Sequence, residues 1–434
     1  MVSPNEVLQG REEADRRIEE AHRTGARVLD LSSLELVRLP DTIAHLTDLT
    51  ELDVSNNLLT DWPAAIGQLL KLTKLDVGSN QMRDVPEEIG QLIELTELKL
   101  YDNELTSLPC TLIRLSQLTK LNAYHNNLAH VPDWIGQLTN LLELRVSSNG
   151  LTYLPDSIGQ LVHLTELSVD YNELTCLPET LGKLADLTVL YAYANRLTHL
   201  PATLGQLHRL TKLSLGENHL SELPDTLARL TNLIELGIYD NELTMLPDWI
   251  QEFTSLEELH VSNNHLTCVP DWIGQLTSLQ KLGVSYNQLT DLPETMSRLT
   301  HLTELSVPGN QLTKLPDGIG QFTGLTILRV SYNRLIGLPD TLGQLCRLKK
   351  LEIAGSQLTT LPDWIARFTD LTILDISNNR LTCLPAWIGQ LTNLRRLEAS
   401  ANQLTALPEE IGQLANLTKL RVSGNPLAVP LPPE

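Results

Sequence analysis

Hydrophobic and polar residues follow one another along this chain in an order that returns every 23 residues. The unit reads LxxLxLxxNxLTxLPxxIGQLxx and stands in near-ideal form at residues 256–278, LEELHVSNNHLTCVPDWIGQLTS. Its first half has the period of a half-buried strand, with Leu256, Leu259 and Val261 pointing inward and Glu258 and His260 outward. Asn264 closes that strand with an amide able to bond the backbone of neighbouring turns, a polar ladder along the stack. Val269 and Pro270 then fix the backbone and open a turn of helix, from which Ile273 and Leu276 supply the other half of the core.

The asparagine recurs at 57, 80, 103, 126, 149, 172, 195, 218, 241, 264, 287, 310, 333, 379, 402 and 425, and the proline runs unbroken from Pro40 to Pro408 in steps of 23. No insertion or deletion interrupts the register. Self-similarity at this period means a solenoid, in which each repeat is stable only against its neighbours. The expected fold is an α/β solenoid, a leucine-rich-repeat horseshoe with a concave parallel sheet and short helical or 3-10 turns on its convex side. Its parts are a capping helix at residues 1–25, repeats over residues 26–427 in about 18 units, and a proline-rich tail at residues 428–434.

Departures from the pattern mark the ends and one interior point. Val7, Ala14, Ile18 and Ala21 share one face of the N-terminal segment and form a cover for the first strand, or a docking helix for a partner. Leu34 and Ser356 occupy ladder positions where asparagine is the rule. At Ser356 the ladder is expected to be weaker, repaired by a water or left as a hinge. An uncovered strand at the C-terminal edge would invite self-association.

Composition narrows the function. No apolar run reaches membrane-spanning length and the first residues lack a signal-peptide core, so a cytoplasmic protein without membrane insertion is expected. Cys176, Cys268 and Cys383 share one column, spaced too widely for pairing, and all five cysteines are read as reduced thiols. The net charge of -21 owes much to the column after the LP proline, including Asp133, Asp156, Asp225, Asp248, Asp271 and Glu294, where a carboxylate meets the free N–H groups of a helical turn. Without a basic stripe, nucleic-acid binding is not expected.

No phosphate-binding, dinucleotide-binding, zinc-protease or serine-hydrolase motif occurs, and the histidines are scattered, so neither catalysis, metal nor cofactor is expected. What varies is the inner, concave face, formed by the outward-pointing positions of the strands and the two residues before each asparagine. Tyr101, Tyr124, Tyr171, Tyr191, Tyr193, Tyr239, Tyr286 and Tyr332 lie there, with His125, Arg145 and His260 nearby; only Tyr153 falls elsewhere. Strand propensity accounts for some of these, but tyrosine joins apolar area to a hydrogen-bonding tip, which makes the cluster a candidate contact surface. Acidic residues of this face (Glu51, Asp53, Glu97, Glu166, Asp170, Glu235, Asp240) prevail in the first half and fit a partner with a basic region, whereas Lys419 and Arg421 tip the far end basic. Trp134, Trp249, Trp272, Trp364 and Trp387 repeat at one outer column, which points to packing between adjacent turns, with a convex contact surface as the alternative.

The LPxxIxxL units over residues 26–427 resemble the intracellular leucine-rich-repeat proteins, among them the Ras-group repeat proteins, the scribble-like scaffolds and the repeat regions of Roco proteins. The borders IEEAHRTGARVLDLSSLELVRLP and GNPLAVPLPPE look like those of bacterial Roco-related proteins. The resemblance implies a scaffold that binds partner proteins on the concave face. The alternative is the substrate-recognition arm of a larger enzyme, a Roco-type GTPase or a ubiquitin-ligase effector, whose catalytic domain lies outside this chain.

Overall fold

The structure, a computed structural model, describes residues 4–62 and 64–428. Their contacts group into two compact units, residues 1–219 with 223–230, and residues 220–222 with 231–434. Among the described residues the first unit holds the helix α1 (Pro4–Thr24) and three-residue strands from Val28–Asp30 to Lys212–Ser214; the second holds strands from Glu235–Gly237 to Lys419–Arg421. Within each unit neighbouring strands are parallel and shifted by one repeat, Leu52 facing Leu75 in the first and Leu259 facing Leu282 in the second. This is the leucine-rich-repeat solenoid expected from the period. Its helical side consists of five-residue 3-10 turns such as Asp133–Gln137, opened by Pro132 and closed by Ile135 N–H to Pro132 O (3.0 Å) and Leu138 N–H to Ile135 O (3.0 Å).

The asparagine amides do what their spacing predicts. Asn126 is buried; its Oδ1 accepts from Leu105 N–H (3.0 Å), and its Nδ2 donates to Leu100 O (2.9 Å) in the repeat before and to Ala123 O (3.2 Å) in its own. Asn264 repeats this in the second unit with Leu243 N–H (2.9 Å), Ile238 O (2.9 Å) and Val261 O (3.2 Å). At the first repeat, where Leu34 replaces asparagine, Asn57 Oδ1 accepts from both Leu34 and Leu36 N–H (3.0 Å each).

Two regularities lie beyond the sequence reading. The residue before each ladder position is left-handed, with φ near +50° at Asp102, His125, Tyr171, Asp240 and Tyr286 and glycine only at Gly309, Gly355 and Gly424. That conformation costs a non-glycine residue roughly 1–2 kcal/mol. Backbone bonds to the next repeat hold it in place, for example His125 N–H to Ser147 O (2.9 Å). A second ladder is built of threonine hydroxyls, each donating to the carbonyl one repeat earlier: Thr73 to Thr50 (3.0 Å), Thr96 to Thr73 (2.9 Å), Thr119 to Thr96 (2.9 Å).

On the outer side, glycines that follow the buried Ile or Leu of the turn let the next turn approach closely. A Cβ on Gly205 would come within 2.1 Å of Thr226 O, and one on Gly274 within 2.3 Å of Thr295 O. Tryptophan follows a filled glycine column at Ile113 before Trp134, Gln251 before Trp272 and Ala366 before Trp387, and those turns pack less closely, as do those of Gly343 and Trp364. Ser297 is followed instead by Gly318, and there the turns stay close. The indole N–H groups of Trp272, Trp364 and Trp387 donate to Asp248 (3.0 Å), Asp340 (3.3 Å) and Asp363 (3.0 Å), the acids that open the preceding turns. The tryptophan column is therefore packing for these three, and the acid column serves as its acceptor.

Helix α1 buries Ala14, Ile18 and Ala21 and half-buries Val7, packing on Val28–Asp30 and the turn Asp41–His45. Arg17 Nη1 donates to Asp30 O (2.9 Å). The expected proline-rich tail lies outside the described residues apart from Ala428.

At Ser356 the ladder has a gap. Its Oγ is buried without a partner, and Leu335 N–H, whose equivalents Leu312 and Leu358 bond Asn333 and Asn379, has no acceptor among the described residues. Ser356→Asn should supply both and raise the unfolding free energy by about 1–2 kcal/mol, read as a higher urea midpoint. An unchanged midpoint would show that solvent already closes the gap.

Candidate functional site

The aromatic residues singled out in the sequence fall into three positions. Tyr191 stands in a strand; Tyr101, Tyr124, Tyr193 and Tyr239 follow the strands by two residues; His125, Tyr171, Tyr286 and Tyr332 occupy the left-handed position. Sequence periodicity grouped them as equivalent face positions, because handedness of a single residue leaves no mark on a hydrophobic pattern.

The first unit gathers most of these rings. Tyr101 and Tyr124 stack with centroids 6.1 Å apart, and Tyr124 stacks on His125 at 5.8 Å. Gly78 leaves the room that Tyr101 occupies, since a Cβ there would fall 2.3 Å from the ring. His125 Nδ1 lies 2.8 Å from Asp102 Oδ1. Further along, Tyr171 and Tyr193 meet edge to face at 5.1 Å, and the Lys212 ammonium sits 5.2 Å from the Tyr191 centroid. Between the two groups the positions that follow the strands carry Ser147, Ser148 and Asp170, and the strands themselves carry Glu143, Arg145, Glu166 and Ser168. Ala123 and Ala192, beneath this stretch, are fully buried.

Much of the charge on this face is neutralised internally. Lys74 pairs with Glu51 (3.0 Å), Lys120 with Glu143 (2.5 Å) and Arg145 with Glu166 (2.8 Å). A concavity of about 230 Å³ at the start of the unit holds Asp30, Asp53 and Asp76 in register, with Lys99 3.1 Å from Asp76. Burial raises the Asp76 carboxyl above its ordinary pKa despite bonds from Gly78 N–H and Lys99.

Two acidic residues are buried outright among the described residues, Asp170 and Glu398, with 8% and 4% of their surface exposed. Their surroundings are opposite. Glu398 is ringed by Arg396 (2.7 Å), Arg421 (3.6 Å) and Lys419 (3.9 Å), which accounts for the basic far end seen in the sequence. Asp170 accepts from Ser147 Oγ (2.7 Å) and the Tyr193 hydroxyl, and has no cationic partner among the described residues. Burial pushes its carboxyl pKa up, and the bonds from Ser147, from its own backbone N–H and from Tyr193 only partly offset that.

In the second unit Tyr286 covers Gly309 and Tyr332 covers Gly355, where a Cβ would fall 2.4 Å from either ring. His260 Nε2 lies 3.3 Å from Glu258, which also takes Lys281 at 2.7 Å. Tyr239 is half-buried.

Among the described residues no three His, Cys, Asp or Glu converge to hold a metal ion, no helix is long and apolar enough to cross a membrane, and the five cysteines are free and exposed.

Comparison with known proteins gives a consistent picture. Residues 66–153 and 339–426 match the family described as leucine-rich repeat region, residues 208–266 match leucine rich repeat, and residues 254–300 match leucine rich repeats in two copies. A leucine-rich-repeat protein of Leptospira interrogans is 39% identical, with a TM-score of 0.80 over 83% of this chain and 93% of that one. The plant peptide hormone receptor RGFR1, solved in complex with RGF2, is 28% identical with a TM-score of 0.71 over 93% of this chain and 76% of that one. The ectodomain of the Arabidopsis receptor kinase HAESA, in complex with an extended IDA peptide hormone, is 25% identical with a TM-score of 0.72 over 98% and 82%. No curated protein matches the sequence.

The contrast between the two buried acids sets opposite expectations for stability. Because the folded-state pKa of Asp170 is raised, the native state holds its proton more tightly than the unfolded chain. Stability from this group is therefore full in acid and lost as pH rises through the raised pKa. Asp170→Asn should raise the melting temperature at neutral pH, with the difference closing on acidification. Glu398→Gln, which leaves Arg396, Arg421 and Lys419 facing one another, should cost about 1–2 kcal/mol at neutral pH. Melting curves of both variants across the carboxyl range check the pair; a destabilised Asp170→Asn would contradict the assignment.

Proposed function

The chain belongs to the leucine-rich-repeat family, and on that footing we propose that it is a non-enzymatic binding protein whose partner lies across the outer strand face of the first unit. The observation that carries this reading is the gathering of Tyr101, Tyr124, His125, Tyr171, Tyr191 and Tyr193 on one face. Tyr124 and Tyr171 are 41% and 51% exposed, a surface that solvated strands do not need and that a protein partner would cover. Arg145 lies beside them, held by Glu166 and available at the rim. The surface is preformed: each ring stands on backbone fixed by the asparagine ladder, so little ordering entropy is lost on association. The similar structures solved in complex with RGF2 and with an IDA peptide hormone support a polypeptide partner.

The second-unit candidates Tyr239, His260, Tyr286 and Tyr332 would extend the contact surface, Tyr286 and Tyr332 being exposed as Tyr124 and Tyr171 are. A second reading keeps the same face as the recognition arm of a larger enzyme, as the HAESA ectodomain belongs to a receptor kinase.

Replacing Tyr124 and Tyr193 together by alanine should weaken binding of a captured partner by at least ~2 kcal/mol while leaving the circular dichroism and unfolding of the chain nearly unchanged. Capture from a lysate followed by mass spectrometry, then titration of the identified partner against both proteins, reads the effect. Equal affinities would move the contact surface elsewhere.

A further inference from the structure

The buried carboxylate of Asp170 gives the proposed face a chemical preference. Removing a carboxylate from water is costly unless a cation or several donors take over its hydration. Glu398 meets that requirement inside the fold with three cations, whereas Asp170 has two hydroxyl donors, its own backbone N–H and no positive charge among the described residues. The nearest guanidinium on the face, Arg145, is committed to Glu166 at 2.8 Å and Glu143 at 3.7 Å. Nothing in the packing requires the charge. Ser147, Ser262, Ser285 and Ser331 fill the same column position in other repeats.

The residues around Asp170 are those that suit a cation. It lies two residues before the ladder asparagine, the outward position shared with Tyr124 and Tyr193, and so belongs to the outer face. Tyr124 and His125 stand on one side of it, Tyr171 and Tyr193 on the other, and Ser147 and Ser148 lie between. Tyr124 and Tyr193 are three repeats apart, about 14 Å at ordinary strand spacing, and the slot between them holds only Ser147 and Asp170 in that column, with the Tyr193 hydroxyl reaching back to Asp170. Rings of this kind attract cations through their faces, and the Lys212 ammonium 5.2 Å from Tyr191 is an example one repeat away.

We propose that this slot receives the arginine or lysine side chain of an extended segment of a partner protein, with Asp170 as the counter-ion and the tyrosines as walls. The proposal rests on the binding face assigned above and specifies what that face recognises. It differs from a general attraction of basic proteins to an acidic chain, because one carboxylate among the 53 Asp and Glu residues of the sequence carries the selectivity.

The test uses short random peptides displayed on phage and selected on the immobilised full chain. Enriched peptides are then synthesised with each basic residue kept, exchanged between arginine and lysine, or replaced by glutamine. They are titrated against the wild type, Asp170→Asn and the Tyr124→Ala/Tyr193→Ala double variant. Asp170→Asn retains an acceptor for Ser147 and the Tyr193 hydroxyl, and its unfolding curve verifies that it is native. The expected result is a basic residue common to the enriched peptides, with a loss of at least about tenfold in affinity on replacing either that residue or Asp170, and no further loss on replacing both. The arginine and lysine exchanges identify the preferred cation.

Peptides that bind Asp170→Asn as tightly as the wild type but lose affinity for the tyrosine variant would overturn the pairing and leave the face standing. Peptides indifferent to both variants would take the face down with it. A selection enriched in no basic residue also overturns the proposal.

Discussion

The buried asparagine amide is the interaction on which this structure depends. Each one ties the backbone of its own repeat to that of the repeat before, through one accepted and several donated bonds, at a depth where an unsatisfied amide would be expensive. The bonds close only if successive repeats keep their length and register, which explains why strand pairing advances by a whole repeat throughout each unit. The left-handed residue before each asparagine is the local cost of this arrangement. It turns the chain out of the strand, carries the amide inward, and is held there by bonds to the next repeat even at Tyr171 and Tyr286.

A stack built this way leaves different freedoms on its two sides. On the outer turns a missing Cβ admits the next turn at Gly205 and Gly274, and after Gln251 and Ala366 the next turn carries an indole bonded to an aspartate. Those residues answer to packing. On the strand face the outward side chains touch one another across repeats without touching the core, and there the sequence departs most from uniformity. Ion pairs neutralise much of the face, aromatic rings gather in the first unit, and Asp170 remains the buried charge without a cation.

The fold was legible because period and spacing are properties of the chain itself. The Leu256, Leu259, Val261 and Asn264 pattern predicts the strand, its inner face and the ladder, and Ala14, Ile18 and Ala21 predict the covering helix. What the pattern did not reveal depends on pairs of residues about one repeat apart. Trp272 and Asp248 belong to two columns that were each visible, yet their hydrogen bond was not. That Tyr286 and Tyr332 stand over Gly309 and Gly355 was likewise invisible in the pattern. Asp170 and Glu398 look alike as face acids, and only their neighbours across the sheet separate a neutralised carboxylate from an unneutralised one.

The central claim is a division of labour between residues that hold the stack and residues that meet a partner, and it is sharpest at Asn126 and Tyr124, two positions apart. The most direct measurement pairs chemical unfolding with partner titration for Asn126→Ala and Tyr124→Ala. Asn126→Ala, which removes an amide bonded to Leu105, Leu100 and Ala123, should lose about 2–4 kcal/mol of stability yet bind normally while folded. Tyr124→Ala should keep its stability and bind weakly. The reverse pattern, an unstable Tyr124→Ala with unimpaired binding, would contradict the account.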